Sequence, residues 1–535
     1  MTSSIQTLIL LLAVVAAIAI IADRTRIPSA ILLVLTGVLL ALMPGLPAIE
    51  LAPEFVLLFV LPPIIYTSAF NMSWREFRFN LRPIASLAVG GVVFTTVVVA
   101  AAAHWLMGLD WPVGFVLGAI VSPPDAIAPL SIARRMELPR QILVILEGEG
   151  LANDATALIL YRFAIAAVSA GAFSFGHAAE TFAAIVAGEI VWGVGVGWTT
   201  LRLRRWVRNP LIEILLSLLT PFVAFWPPER LGGSGVLATV TAGLYVSWNG
   251  PQLISSATRL QGVFFWEFFV YVIEGMVFLI TGLQARAVLD RIGDYETAQL
   301  AISAGVIASV LIAARFISIF PATYIPRWLV PALSRRSPAP PWQWSVVLAF
   351  TGVRGVVSLA AALAIPLATA AGRPFPFRNL ILFLTFSVIL LTLVGQGLML
   401  PWLIRALGLS HAGRAEREVE RSEEHEARAE GVKAAIERLD ALAAERNLSA
   451  QMVDAVRHQH RERLKHLQSR SDRDAVASRL GATCDEVESL LIDAERLRVN
   501  ELFRSGALRD EARRRIERDL DMREAHLAQQ QRPET

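Results

Sequence analysis

Apolar residues run along the first three-quarters of this chain in long unbroken blocks, separated by short polar turns. Thirteen such stretches fall near residues 5–22, 29–47, 55–70, 83–106, 112–133, 142–170, 179–200, 210–226, 233–248, 263–284, 298–325, 343–370 and 379–408. A bilayer core about 30 Å thick takes about 20 apolar helical residues, so each block predicts one membrane crossing. The blocks are too long for barrel strands and lack their two-residue alternation. Short connections predict a single helical bundle. The segment before the first block, Met1 to Thr7, carries no positive charge, and the block itself is longer than the apolar part of a signal peptide. It is expected to be the first crossing.

Near residue 410 the pattern changes. The rest of the chain is polar, with apolar residues at three- and four-residue steps, as in Val432, Ile436, Leu439 and Leu442. Thr483 with Glu486 forms a capping box ahead of Val487, Leu490 and Leu491. The expected organisation is therefore an all-α polytopic membrane domain, residues 1–408, followed by a charged helical tail, residues 409–535, that is regulatory or assembly-related rather than catalytic.

Composition sharpens this division. The chain is 55% apolar and 18% charged, with a mean hydropathy of +0.53, which excludes a single soluble domain and a disordered chain. The formal net charge is +3, and the tail from His411 holds 24 of the basic and 27 of the acidic residues. No one-signed run is long enough to bind nucleic acid. One cysteine, Cys484, forms no intramolecular disulfide and no metal-binding pattern. Arginine placement sets orientation. Alternate loops carry Arg24 and Arg26, then Arg75, Arg78 and Arg82, then Arg134, Arg135 and Arg140, then Arg202, Arg204, Arg205 and Arg208, then Arg259, then Arg327, Arg335 and Arg336, with Arg405 after the last crossing. That side has 17 arginines against five on the other, Arg230, Arg286, Arg291, Arg373 and Arg378. The richer side is expected to be cytoplasmic. The amino terminus then lies outside and the tail inside, which requires an odd number of crossings.

Ionisable residues inside a crossing are costly and point to function. They concentrate in three places. In VSPPDAIAP (121–129), Pro123, Pro124 and Pro129 remove backbone donors and must open the fifth crossing, with Asp125 in the gap. Freed carbonyls at that depth are tolerated only against protein or a polar cavity. In EGEGLANDATALILYRF (147–163), Asn153 shares a helical face with Glu149, while Asp154 is turned roughly 140° from it. Gly150 leaves room on the aspartate's own face. A buried carboxylate with no permanent partner holds either a proton or a small hard cation, not both. In FTGVRGVVSLAAALAIP (350–366), Gly352 and Gly355 loosen the helix around Arg354, whose charge cannot be removed. Glu149 or Glu274 is the expected partner. The fifth and twelfth crossings are thus both interrupted, seven apart, which is the pattern of an inverted-repeat transporter with its site at mid-bilayer. Arg162, Arg315, Glu189, Glu213, His104 and His177 carry weaker signals, expected to be structural or superficial.

Taken together, SPPDA, EGEGLAND, FLITGL (278–283) and FTGVRGVVSLA resemble, in order and spacing, the cation:proton antiporter-one family of NhaP- and NHE-type sodium/proton exchangers. The resemblance covers the whole membrane part. It implies a homodimer of thirteen-helix protomers with two unwound, crossed helices in each core. Carried over by position, Asp154 binds Na⁺ and the proton in turn, Asn153 is its neighbour, Asp125 belongs to the crossing, and Glu149 with Arg354 forms a buried pair steadying the core. Glu274 and Glu147 are accessory candidates. Asn153, where electrogenic relatives carry a second aspartate, implies one-for-one electroneutral exchange. Two positions depart from the common pattern: Gly150 stands where many members have serine, and Pro124 where many have threonine.

The expected activity is secondary cation/proton antiport in a bacterial inner membrane, without enzyme chemistry or cofactor. A potassium/proton antiporter would use the same site. A channel needs a ring of repeated ligands, and an intramembrane hydrolase needs a nucleophile and base near the cluster. A symporter would use Arg354 to hold an organic anion.

Overall fold

The computed structural model describes residues 2–472, except 26, 45–50, 171–174, 208, 251–252, 255, 294, 330–338, 370–371 and 447–448, together with scattered positions between 491 and 524. The capping box at Thr483 and Glu486, Val487, Leu490, Cys484, Arg26, Arg208, Arg335 and Arg336 lie outside the described residues, as does the His177 side chain. Contacts divide the chain into two compact units, Met1–Ser410 and His411–Thr535.

The first unit is helical. Its helices of eight residues or more are α1 (Thr2–Thr25), α2 (Ser29–Leu42), α3 (Leu61–Asn71), α4 (Val92–Met107), α5 (Trp111–Val121), α6 (Ile127–Arg135), α7 (Arg140–Ala170), α8 (Phe175–Trp206), α9 (Pro210–Arg230), α10 (Val236–Asn249), α11 (Ser256–Asp290), α12 (Thr297–Leu329), α13 (Trp342–Phe350), α14 (Val356–Leu363), α15 (Arg378–Leu390) and α16 (Gly397–Ala406). Among the described residues there is no strand, only an isolated bridge between Ala368 and Pro374. Among the described residues nine continuous helical spans are long and apolar enough to cross a membrane, three of which, Pro53–Asn71, Leu81–Met107 and Arg378–Ala406, join shorter helical pieces through a π-helical turn. The remaining expected crossings fall on the shorter α2 and α10, and on two interrupted pairs, α5 with α6 and α13 with α14.

Lipid tails give apolar helices no hydrophobic reason to associate, so close packing holds the bundle. α2 and α11 meet at Gly37 and Gly282, where a Cβ on either would overlap the other's backbone. One group of helices packs α2 on α11 and α3 on α10 beside α8 and α9; another packs α4 on α5, α5 on α7 and α4 on α12. Leu279, Ile31 and Val34 sit in the core of the first group, and Val116, Ile120 and Leu311 in that of the second. Three helices widen into π-helical turns, Val56–Val60, Ser86–Gly91 and Leu391–Gln396. Such turns are rare and recur at functional sites. Each of these three borders the broken helices described below.

The second unit holds most of α17 (Leu409–Arg446) and all of α18 (Ala450–Asp472). Val432 is buried, and Ile436, Leu439 and Leu442 are half-buried on the same face, following the stepped pattern in the sequence. Val453 is buried, and Arg457 of α18 reaches Asp440 of α17 at 2.7 Å.

Candidate functional site

Helix α5 stops at Val121 and α6 begins at Ile127; α13 stops at Phe350 and α14 begins at Val356. Residues 122–126 and 351–355 between them are not helical. The prolines account for the first break, because Pro123 and Pro124 cannot donate to the preceding turn. At the second, Gly352 and Gly355 flank the charge. The two open segments touch: Asp125 N–H donates to the Val353 carbonyl at 2.7 Å. A Cβ at position 355 would overlap the Asp125 carboxylate, so only glycine permits this approach.

Asp125 caps the restarted helix, with Oδ1 accepting from Ile127 N–H at 3.0 Å. Its other oxygen, Oδ2, is buried without a hydrogen-bond partner. Asn153 is fully buried on α7, and its amide donates to the Pro124 carbonyl at 2.6 Å. One of the carbonyls freed by the break is satisfied in this way, which binds α7 to the crossing.

Glu149 and Arg354 do not pair. Glu149 instead receives both arms of Arg315 on α12, Nη1 to Oε1 at 2.6 Å and Nη2 to Oε2 at 2.8 Å, while Arg315 Nε donates to the Leu348 carbonyl at 3.1 Å. Arg354 donates from Nε to the Val121 carbonyl and from Nη1 to the Gly352 carbonyl, and its backbone N–H donates to Thr392 Oγ1 at 3.0 Å. The reason is local. Each broken helix leaves carbonyls without intrahelical donors, and a guanidinium carries five donors in a fixed fork. Arg354 ties the last carbonyl of α5 to its own broken segment and so has no need of a carboxylate. Glu149 takes the buried Arg315 guanidinium in a two-armed pair, the strongest geometry available to it. Arg315 was visible in the sequence as an intramembrane charge, but nothing in the spacing ties it to Glu149 across 166 residues. Thr392, on the third π-helical turn, carried no sequence signal.

On the other face of α7, Asp154 has no hydrogen-bond or ion-pair partner among the described residues. It lines a cavity of about 110 Å³, together with Pro123, Pro124, Asp125, Glu147 and Gly150, Glu274 of α11, and Ser68 and Ser358. Every charged residue lining this cavity is an acid. Gly150 admits the Ala126 methyl, so the space beside it is filled by the crossing. Behind the crossing a cavity of about 10 Å³ is lined by Ser122, Thr95, Ser318, Glu149 and Arg315, with Pro124 lining both spaces. The structure therefore brings Asp125, Asn153, Asp154, Glu147 and Glu274 together, and puts Glu149, Arg315 and Arg354 behind them. No cluster of three metal-binding side chains in coordinating geometry occurs among the described residues.

The weaker charges are accounted for elsewhere. Glu189 accepts from the N–H groups of Ser234, Gly235 and Leu237 at 2.6–3.0 Å, neutralising the amino-terminal end of α10. Arg162 pairs with Glu229 at 2.5 Å. His104 stacks on Trp111 and contacts the Leu109 carbonyl at 2.7 Å. Glu213 is buried away from the cavity.

Comparison with known proteins bears on the same region. The profile of a family described as "Sodium/hydrogen exchanger, transmembrane" matches residues 10–406. A Mycobacterium bovis protein named an uncharacterized Na⁺/H⁺ exchanger is 34% identical over 530 residues, covering 97% of this chain and 96% of that one. A sodium, potassium, lithium and rubidium/H⁺ antiporter of Bacillus pumilus is 34% identical over 390 residues, covering 70% of this chain and 58% of its own. In fold, the chain is similar to the sodium proton antiporter MjNhaP1 of Methanocaldococcus jannaschii, with a TM-score of 0.62 at 19% identity, over 76% of this chain and 99% of that one.

Proposed function

This chain belongs to the sodium/hydrogen exchanger family, and we propose that it is a multi-pass antiporter exchanging one monovalent cation for one proton at Asp154. It is a transporter and not an enzyme. One observation carries the reading: an unpartnered carboxylate, on a helix locked to the crossing, faces a cavity whose charged walls are all acidic. Such a group suits Na⁺, which takes oxygen ligands, or a proton in its place. Asp154 supplies the exchanging charge, the orphaned Oδ2 of Asp125 adds a second oxygen, and Asn153 positions the broken segment. Glu149 with Arg315, and Arg354 with the freed carbonyls, hold the frame.

Coupling follows from desolvation. An empty, ionised Asp154 is costly to carry through an apolar barrier, while the cation-bound and protonated forms are neutral. Only the loaded forms then alternate between the two faces. One exchanging carboxylate beside an amide supports electroneutral exchange.

The arginine distribution supports a bacterial inner-membrane location with the amino terminus outside and residues 409–535 in the cytoplasm. A homodimer fits the exposed apolar faces of α8, α9 and α11, including Val191, Leu215 and Phe264. The similarity to the Bacillus antiporter makes K⁺ the alternative cargo at the same site. An organic anion is disfavoured, because Arg354 is spent on backbone carbonyls and lines no part of the main cavity.

The test is proton flux in vesicles under an imposed pH gradient, with Na⁺, Li⁺ or K⁺ added in turn. Wild type should dissipate the gradient on cation addition, and Asp154→Asn should not. Equal dissipation by both would remove Asp154 from the mechanism.

A further inference from the structure

Glu147 stands apart from the other acids of the cavity because it has an ion-pair partner. It lies seven residues before Asp154 on α7, two turns away at about 10 Å along the axis and within about 20° of the same face. Both residues line the same 110 Å³ cavity, with Gly150 between them on the helix, where the Ala126 methyl of the crossing packs. At the outer end, Glu147 Oε1 meets Arg134 Nη2 at 3.3 Å. Arg134 is the second-last residue of α6 and its side chain is 52% exposed, against 14% for Glu147. Beside this pair, Arg140 holds Glu76 in a two-armed contact at 3.0 Å.

An ion pair with one partner this exposed contributes little to stability. Its position is more informative than its strength. It is the place where the acid-lined space meets the arginine-rich face, and its acid is the last carboxylate before solvent on the helix that carries Asp154. Arg134 is a cation on a tether, and it occupies the carboxylate that an arriving ion would reach first.

We infer that Glu147 is a way-station for the cation entering from the arginine-rich face, and that Arg134 competes with that cation for it. The ion displaces the guanidinium, rests against Glu147, and moves two turns along α7 to Asp154, while Arg134 swings into solvent. Arg140 remains held by Glu76, so one guanidinium is released at a time. Glu147 is thus a positioning residue that sets sided affinity for the cation. The inference rests on the antiport reading above.

The experiment measures Na⁺-dependent proton flux in everted vesicles, where Na⁺ meets the arginine-rich face, and in right-side-out vesicles. Asp154→Asn is run in parallel, and residual exchange in that variant would count against the antiport reading rather than this one. Glu147→Gln should raise the half-saturating Na⁺ concentration about fivefold from the arginine-rich face, with a smaller change in maximal rate and none from the opposite face. Arg134→Gln should lower it from the same face, and the double variant should behave as Glu147→Gln alone. Glu147→Asp should restore most of the affinity. Should Glu147→Gln fail to reach the membrane, Arg134→Gln carries the test alone. A shift of equal size from both faces, a rise with Arg134→Gln, or no shift in either variant overturns the assignment.

Discussion

Glu149 and Asp154 sit five residues apart on one helix and have opposite fates. Glu149 is 2% exposed and gripped by both arms of Arg315. Asp154 has no such partner and opens on the cavity. The turn of about 140° between them sends one carboxylate behind the crossing and the other in front of it. A helix can thus carry a paired charge and an unpaired one side by side, provided its two faces meet different neighbours. In the proposed mechanism the neutralised face holds the frame, and the face left unneutralised takes the ion.

This contrast can be broken from either side. The largest effect on transport is expected from Asp154→Asn, which should cut exchange by about 100-fold or more while leaving thermal unfolding in detergent close to wild type. Glu149→Gln should do the reverse. It strands a buried guanidinium, at a cost of about 3–5 kcal/mol, and should appear first as a lowered unfolding temperature and reduced yield. If Glu149→Gln left stability untouched and abolished only transport, the two carboxylates would not be distinct in kind. Gly355→Ala probes the crossing between them. The added methyl overlaps Asp125, and exchange should fall about tenfold with little change in the Glu149–Arg315 frame. The smallest effect is expected from Thr392→Val, which removes the acceptor for the Arg354 N–H and should cost about 1–3 kcal/mol of stability with exchange retained.

The same contrast shows where sequence reasoning succeeds. The prolines around Asp125 forced a break because they lack donors, and glycines beside a permanent charge marked the second. Both are local effects, and the structure is non-helical at both places. The choice of partner for Arg354 is not local. A carboxylate looked necessary, yet the breaks themselves supply carbonyls, and their positions depend on how two segments more than 200 residues apart meet. Glu147 was likewise visible only as a surplus acid until α6 placed Arg134 beside it.

What the residue order determined alone is the all-helical, membrane-spanning character of the first unit and the two places where helices must open, since apolar run length, proline and glycine act within a few residues of themselves. What only the tertiary structure decided is which charges cancel. Pairing follows distance between side chains on helices remote in sequence, and a guanidinium goes to whichever acceptors the packed backbone leaves unsatisfied.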